Sequence, residues 1–237
     1  MSHRVFSGKL SDIDVNPTNQ VVINTLNPHS YVIAKKDKYF SEALNDSDIV
    51  LADGIGIVLA AKLINKIKIK KISGADLQDH LLFLLNQDSG SVFYVGSTSA
   101  TLSSIKSKIR ENFPNIKVGT YAPPFKPVFS KNDNDLIIEQ VNSFSPDVLF
   151  IGMTAPKQEK WLYQNKNRLN FRLASCIGAA FDFYAGTITR PSPFWINLGL
   201  EWFVRLIKEP RRLFHRNFVS TPLFLLDVVL RRLRGNQ

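Results

Sequence analysis

Along the first 190 positions, short continuous apolar runs alternate with longer stretches in which apolar residues recur every three or four positions. The short runs are 21–26 (VVINTL), 49–57 (IVLADGIGI), 92–97 (VFYVGS), 147–153 (DVLFIGM) and 173–181 (LASCIGAAF). Runs of this kind, bounded by Gly, Pro or Asp, predict strands covered on both faces, as in a parallel sheet. Helical periodicity predicts helices over 30–45, 56–65, 76–86, 100–112, 134–144 and 156–168. The alternation predicts an α/β, Rossmann-like domain: a mostly parallel sheet flanked by helices.

Several predicted strands end in small or polar residues: Thr25 and Asn27, Asp53 and Gly54, Gly96 and Ser97, Gly152 to Thr154, and Gly178. Ligands of open α/β sheets bind outside the carboxyl ends of the strands, so these tips are the first place to look for a site. Each tip alone also reads as an ordinary turn.

The pattern changes after position 190. Pro191 and Pro193 interrupt it, a helix is predicted over 195–209 up to Pro210, and Ser220, Thr221 and Pro222 announce a last helix over 223–234. The expected organisation is an α/β catalytic domain over 1–190 and a basic, amphipathic helical appendage over 191–237.

Charge sharpens this division. The chain has 30 Lys and Arg against 20 Asp and Glu, a net +10. From position 190 onward there are nine basic residues (Arg190, Arg205, Lys208, Arg211, Arg212, Arg216, Arg231, Arg232, Arg234) and three acids (Glu201, Glu209, Asp227), which places +6 of the +10 in the last 48 residues. Interleaved with them are Trp195, Phe203, Leu206, Ile207, Phe214, Phe218, Leu223, Phe224, Leu226 and Leu230. That mixture fits helices lying in an anionic membrane interface. It equally fits a terminal helix packed on the domain with its charges in water, and pattern alone leaves both open. A second cluster, Lys66, Lys68, Lys70 and Lys71, alternates with Ile67, Ile69 and Ile72 and reads as a solvent-facing strand or loop edge, or else as a phosphate contact.

With 44% hydrophobic and 21% charged residues, the composition excludes disordered, collagenous and multispan membrane classes. No stretch approaches the roughly 20 apolar residues of a spanning helix, and the N-terminal MSHRVFSGKLSDIDV has no apolar leader core. The single Cys176 excludes a disulfide framework or a multi-cysteine metal site and suits a reducing compartment.

Gly54-Ile55-Gly56 is two-thirds of a dinucleotide fingerprint, a weak signal for a nicotinamide-dependent oxidoreductase. Asp53, just before it at a strand end, is placed for general-base work, or else caps the helix that follows. Three Asp-x-Asp pairs, Asp12/Asp14, Asp46/Asp48 and Asp133/Asp135, follow no apolar run and read as loop or cap residues. The four histidines, His3, His29, His80 and His215, share no ligand spacing, so no metal site and no cofactor are expected. APKQEKW, from Ala155 to Trp161, opens a helix whose free N–H groups, with Lys157 and Gln158, suit a phosphate or sugar oxygen. A basic nucleic-acid-binding protein is the remaining alternative from charge alone.

Taken together, TLNP (25–28), LADGIGIVLAAKL (51–63), SGADL (73–77), FYVGS (93–97), IGMTAPKQEKW (151–161), IGAAFDFYAGTITR (177–190) and the W-x-x-x-LGLEW-x-x-RL-x-x-EPRR set (195–212) resemble the WecG/TagA/CpsF group, glycosyltransferase family 26. The resemblance implies an inverting, metal-independent enzyme at the cytoplasmic face of the bacterial inner membrane. It would move N-acetylmannosamine, its uronic acid or glucose from a UDP-sugar donor to a polyprenyl-diphosphate-linked sugar acceptor, in surface polysaccharide biosynthesis. Carried over by position, Asp53 matches the general base, Thr25 and Asn27 match polar residues near the sugar, and Gln158 matches the active-site glutamine. Arg205 and Arg212 match arginines that close over the site and bind diphosphate, and Lys71 is the candidate to join them at that substrate group. Two positions depart from the family pattern: Lys71 stands where an arginine is usual, and His215 stands where a further arginine is common, with Arg216 one position along. The implied partners include an anionic membrane surface, met by Arg231, Arg232 and Arg234, and nucleic acid drops out; the sequence leaves a homo-oligomer open.

Overall fold

The computed structural model of the chain describes residues 5–189 and 191–234, without the side chains of Pro193, Asn197 and Arg212; Arg190 and the last three residues lie outside the description. Six strands, β1 (Val21–Leu26), β2 (Ile49–Ala52), β3 (Ser91–Gly96), β4 (Lys117–Tyr121), β5 (Val148–Gly152) and β6 (Leu173–Cys176), pair in parallel in the order β2-β1-β6-β5-β3-β4. Eight helices accompany them: α1 (Pro28–Ala34), α2 (Lys38–Asn45), α3 (Ile55–Asn65), α4 (Gly74–Gln87), α5 (Ser99–Asn112), α6 (Lys131–Phe144), α7 (Lys157–Asn165) and α8 (Ala180–Ala185).

The central strand runs are mostly apolar because both faces are covered. Val92, Tyr94, Val148 and Phe150 meet Leu81, Ile105 and Phe181 from α4, α5 and α8. The alternate residues Phe93, Val95, Leu149 and Ile151 meet Ile137, Val141 and Trp161 from α6 and α7. The register Val92↔Val148, Phe93↔Leu149, Tyr94↔Phe150 keeps the two sets in phase. A one-residue slip would exchange the faces and misplace every one of these contacts. At the β1–β2 end a third cluster joins Leu26, Val50 and Ala52 to Tyr31, Phe40, Ile57 and Ala60.

Four details differ from the sequence reading. The predicted strand 49–57 stops at Ala52, because Gly54 takes φ 110° and turns the chain into α3. The predicted helix 30–45 is two helices, since Asp37 accepts from Phe40 N and starts α2 anew. β4 was not among the predicted strands. The predicted strand 173–181 ends at Cys176, and Ala180–Ala185 is the helix α8. Of its two structural readings the lysine-rich 66–72 segment takes the loop-edge one: it runs along the β2 edge with Ile69 and Ile72 buried and Ile72 N donating to Ala52 O at 2.9 Å.

The C-terminal region folds as α9 (Pro193–Asn197), α10 (Glu201–Lys208), α11 (Pro210–His215), a π-helical turn Arg216–Ser220, and α12 (Thr221–Arg234). Gly199, at φ 72°, breaks the helix predicted over 195–209. The expectation that no segment reaches spanning length also needs correction: Leu213–Arg234 is a 22-residue helical run with mean hydropathy 1.2, long and apolar enough to cross a membrane by those two measures. It nevertheless lies side-on against the sheet domain. Phe224 is fully buried with its ring edge-on to Tyr31, 5.1 Å between centroids, and Val228 is buried one turn on. Asp227 accepts from Tyr31 Oη at 2.5 Å, Lys35 Nζ at 2.6 Å and Arg231 Nε at 2.9 Å. Burial resists ionisation of Asp227, but its lysine, tyrosine and arginine partners overcome this and hold its pKa at about 2. One stripe of α12 is thus docked on the domain, as the second reading of the appendage has it, while Leu223, Leu226, Leu230 and Leu233 remain exposed.

Candidate active site

Beyond the carboxyl ends of β1 and β2 lies a cavity of about 280 Å³, floored by Pro28, Asp53 and the start of α3 and walled by the appendage. Asp53 N still donates to Leu26 O at 2.9 Å, as if the strand continued, before Gly54 turns away. Gly54 is the N-cap of α3 and no side chain caps that helix, so Asp53 is not a helix cap. A Cβ on Gly56 would lie 2.7 Å from Pro28 Cγ, so the second glycine lets α3 close on α1. The glycine pair therefore serves chain reversal and helix packing, which accounts for it without a dinucleotide.

The surroundings of Asp53 set its chemistry. Burial raises its pKa; Arg216 opposes this, Glu201 adds to it, and Arg205 and Lys71 oppose it. The net rise makes Asp53 a stronger base than an ordinary aspartate, while nearby cations keep the carboxylate accessible. Lys71 Nζ is bound to Glu201 Oε2 at 2.6 Å, both side chains being less than one-fifth exposed. The Arg205 guanidinium lies 4.9 Å from the centre of the Phe183 ring, and its Nε is buried without a partner among the described residues. His29 closes the α1 side: its Nδ1 is 2.8 Å from Ser220 Oγ, and burial, then Arg216 and His215, lower its pKa, favouring the neutral ring.

The structure brings Asp53, Lys71 and Arg205 to one cavity, as the sequence reading groups them, and adds His29, Glu201 and Arg216. Arg216 takes a place in the wall, whereas His215 is exposed with its ring edge-on to His29 at 6.2 Å. Thr25, Asn27 and Gln158 do not line the cavity. Thr25 pairs with Leu51 near the end of β1. Asn27 caps α1, its Oδ1 accepting from His29 N and Ser30 N at 3.1 and 3.0 Å. Gln158 is buried at the β5–β6 tips, its Oε1 accepting from Met153 N at 3.1 Å and its Nε2 donating to Glu159 Oε1 at 2.8 Å. Arg212 lies on α11, and its side chain is outside the described residues. Arg231 is tied to Asp227, Arg232 is half-buried and Arg234 is exposed.

The acidic pairs serve local structure. Asp12 accepts from Lys9 N, Asp14 from Asn16 N and Asp48 from Val22 N; Asp46 pairs with Lys166, Asp133 with Ser130 and Lys126, and Asp135 with Arg168. Among the described residues no group of three or more His, Cys, Asp or Glu side chains is arranged to hold a metal ion.

The sequence profile of the Glycosyl transferase WecG/TagA/CpsF family matches residues 10–237. Over 208 residues the chain is 31% identical to an N-acetylglucosaminyldiphosphoundecaprenol N-acetyl-β-D-mannosaminyltransferase of Bacillus subtilis (strain 168), covering 88% of this chain and 78% of that protein. A protein of the same description from Staphylococcus aureus (strain MW2) is 24% identical over 211 residues, covering 89% of this chain and 80% of the relative.

Proposed function

Because the chain belongs to the WecG/TagA/CpsF family of glycosyl transferases, we propose that it transfers N-acetylmannosamine from a UDP-linked donor to a polyprenyl-diphosphate-linked N-acetylglucosamine, with inversion and without a metal ion. The sugar moved and the lipid-linked acceptor follow the names of the relatives; the UDP carrier is the one the family resemblance implies. Making a β-linked product from an α-linked nucleotide sugar requires attack from the face opposite the leaving diphosphate. One base must then take the proton of the acceptor hydroxyl.

Asp53 is that base. The observation that carries the reading is a raised-pKa carboxyl at the floor of a cavity whose walls hold Arg205, Arg216 and Lys71. Positive side chains around a departing diphosphate stabilise the charge that develops on it. Lys71 joins them on exchanging Glu201 for phosphate. Arg212 is a further phosphate ligand on α11, and Thr25, Asn27 and Gln158 contact the sugar at the strand tips. The appendage, residues 191–237, closes the site and rests on the membrane through the exposed leucines of α12, with Arg232 and Arg234 toward lipid phosphates. The enzyme is peripheral, at the cytoplasmic face where its nucleotide-sugar donor is made.

Mass spectrometry tests this directly. Incubation with UDP-N-acetylmannosamine and a short-chain polyprenyl-diphosphate N-acetylglucosamine should add one N-acetylhexosamine to the acceptor, equally well in EDTA. No product from this pair, with product from another nucleotide sugar, would overturn the donor; inhibition by EDTA that Mn²⁺ reverses would overturn metal independence.

A further inference from the structure

Gln158 and Glu159 open α7, and both are buried, at 4% and 3% exposure. The orientation of the Gln158 amide is dictated on one side by Met153, whose N–H can only donate; Oε1 must face it. Nε2 then points at Glu159 Oε1, 2.8 Å away. The amide also lies against Gly178 at the tip of β6, where a Cβ would sit 3.6 Å from both Nε2 and Oε1. One N–H of Nε2 is used by Glu159, and the other has no hydrogen-bond partner among the described residues beside the β5 and β6 tips.

Glu159 itself has no evident structural task beyond this contact. Its Oε2 is buried without a hydrogen-bond partner. Among the described residues no charged side chain acts on it: burial, the Gln158 amide and its own backbone N–H are the influences, and its ionisable neighbour across the core is the Cys176 thiol on β6, kept neutral by burial. Leaving a carboxyl oxygen bare in a core is costly, so a carboxyl here calls for a reason.

We propose that Glu159 is a positioning residue: it clamps the Gln158 amide, and its change of charge strengthens or relaxes that clamp. An ionised carboxylate accepts a stronger, shorter hydrogen bond than a neutral carboxyl. It also polarises the amide so that its remaining N–H becomes a better donor. Burial first, opposed by the Gln158 hydrogen bond, brings Glu159 to a pKa of about 7, so the clamp changes state near neutrality. The catalytic consequence rests on the reading of Gln158 as a sugar contact; the clamp does not.

The experiment separates the two. In the unliganded protein, the side-chain amide signals of Gln158, assigned in the wild type by through-bond correlation to the Gln158 backbone, are followed by ¹H–¹⁵N NMR from pH 5.5 to 8.5. They should titrate with a midpoint near 7 in the wild type and stay constant in Glu159→Gln. A pH-independent Gln158 amide in the wild type overturns the proposal whether or not any variant folds, as does the same titration surviving in Glu159→Gln. In turnover, Glu159→Gln should lose a near-neutral inflection of kcat/KM that the wild type shows, keeping the inflection due to Asp53. An amide that titrates with no such inflection would leave the clamp standing and refute the sugar-contact role of Gln158.

Discussion

Replacing Phe224 by alanine tests how the appendage is held over the cavity. The ring is fully buried, edge-on to Tyr31, and stands 3.6 Å from where a Cβ on Gly56 would lie, so no neighbour is free to refill its space. Truncating a phenylalanine in such a site costs about 3–5 kcal/mol through lost transfer energy and the residual cavity. The Asp227 contacts with Tyr31 and Lys35 remain, so α12 should open locally before the sheet unfolds. Hydrogen exchange with mass spectrometry reads this: amides of 221–234 should lose protection by roughly 10²- to 4 × 10³-fold, each 1.4 kcal/mol being about tenfold, while peptides from β3 and β5 hold theirs. Unchanged exchange across 221–234 would refute the claim that Phe224 anchors the appendage. Equal loss throughout the chain would refute its local opening.

The Lys71–Glu201 pair should show a coupling of about 1–2 kcal/mol in a double-mutant cycle of alanine substitutions measured by urea unfolding, between the values for exposed and buried pairs; zero coupling would mean it does not hold α10. Glu159 should make stability fall with pH. Its folded pKa of about 7 exceeds the ordinary 4.5, so the native state holds a proton that the unfolded chain releases between those values. Glu159→Gln should therefore gain on the wild type from pH 4.5 to 7, by up to about 3 kcal/mol, and then level off; a gap independent of pH contradicts this. The triple variant Leu226→Ser, Leu230→Ser, Leu233→Ser removes an exposed apolar stripe from α12. Flotation with vesicles containing anionic lipid should show binding weakened about a hundredfold, at about 1 kcal/mol per leucine partly buried in the interface; unaltered flotation would place the membrane contact elsewhere.

The sheet was legible because five of its strands are largely buried and so are mostly apolar, with Asn24, Thr25 and Ser175 as exceptions inside them. β4 escaped because it is an edge strand reading Lys-Val-Gly-Thr-Tyr, and Gly119 is small for a reason invisible in one dimension: a Cβ there would sit 2.3 Å from the Phe93 ring. Breaks made by a single residue, such as Asp37 between α1 and α2 or Gly199 between α9 and α10, were passed over because periodicity continues across them. In the site, Asp53, Lys71 and Arg205 were found through their motifs. The partner of Lys71 was not, since Glu201 lies 130 positions away and meets it only once the appendage has docked. His29 sits next to a recognised motif, but nothing in its spacing announces that Ser220 and His215 will surround it. Asn27 reads in the sequence as a strand tip or a turn; that its side chain caps α1 was not foreseen, because a cap is recognised only once the helix start at Pro28 is known.

The most direct test of the account is single-turnover transfer by Asp53→Asn, an isosteric change that removes the base and leaves the cationic walls in place. The account predicts transfer slowed by about 10²- to 10⁴-fold, the range for losing a general base, with binding of the UDP-sugar by calorimetry close to that of the wild type. Wild-type rates of transfer by this variant would contradict it.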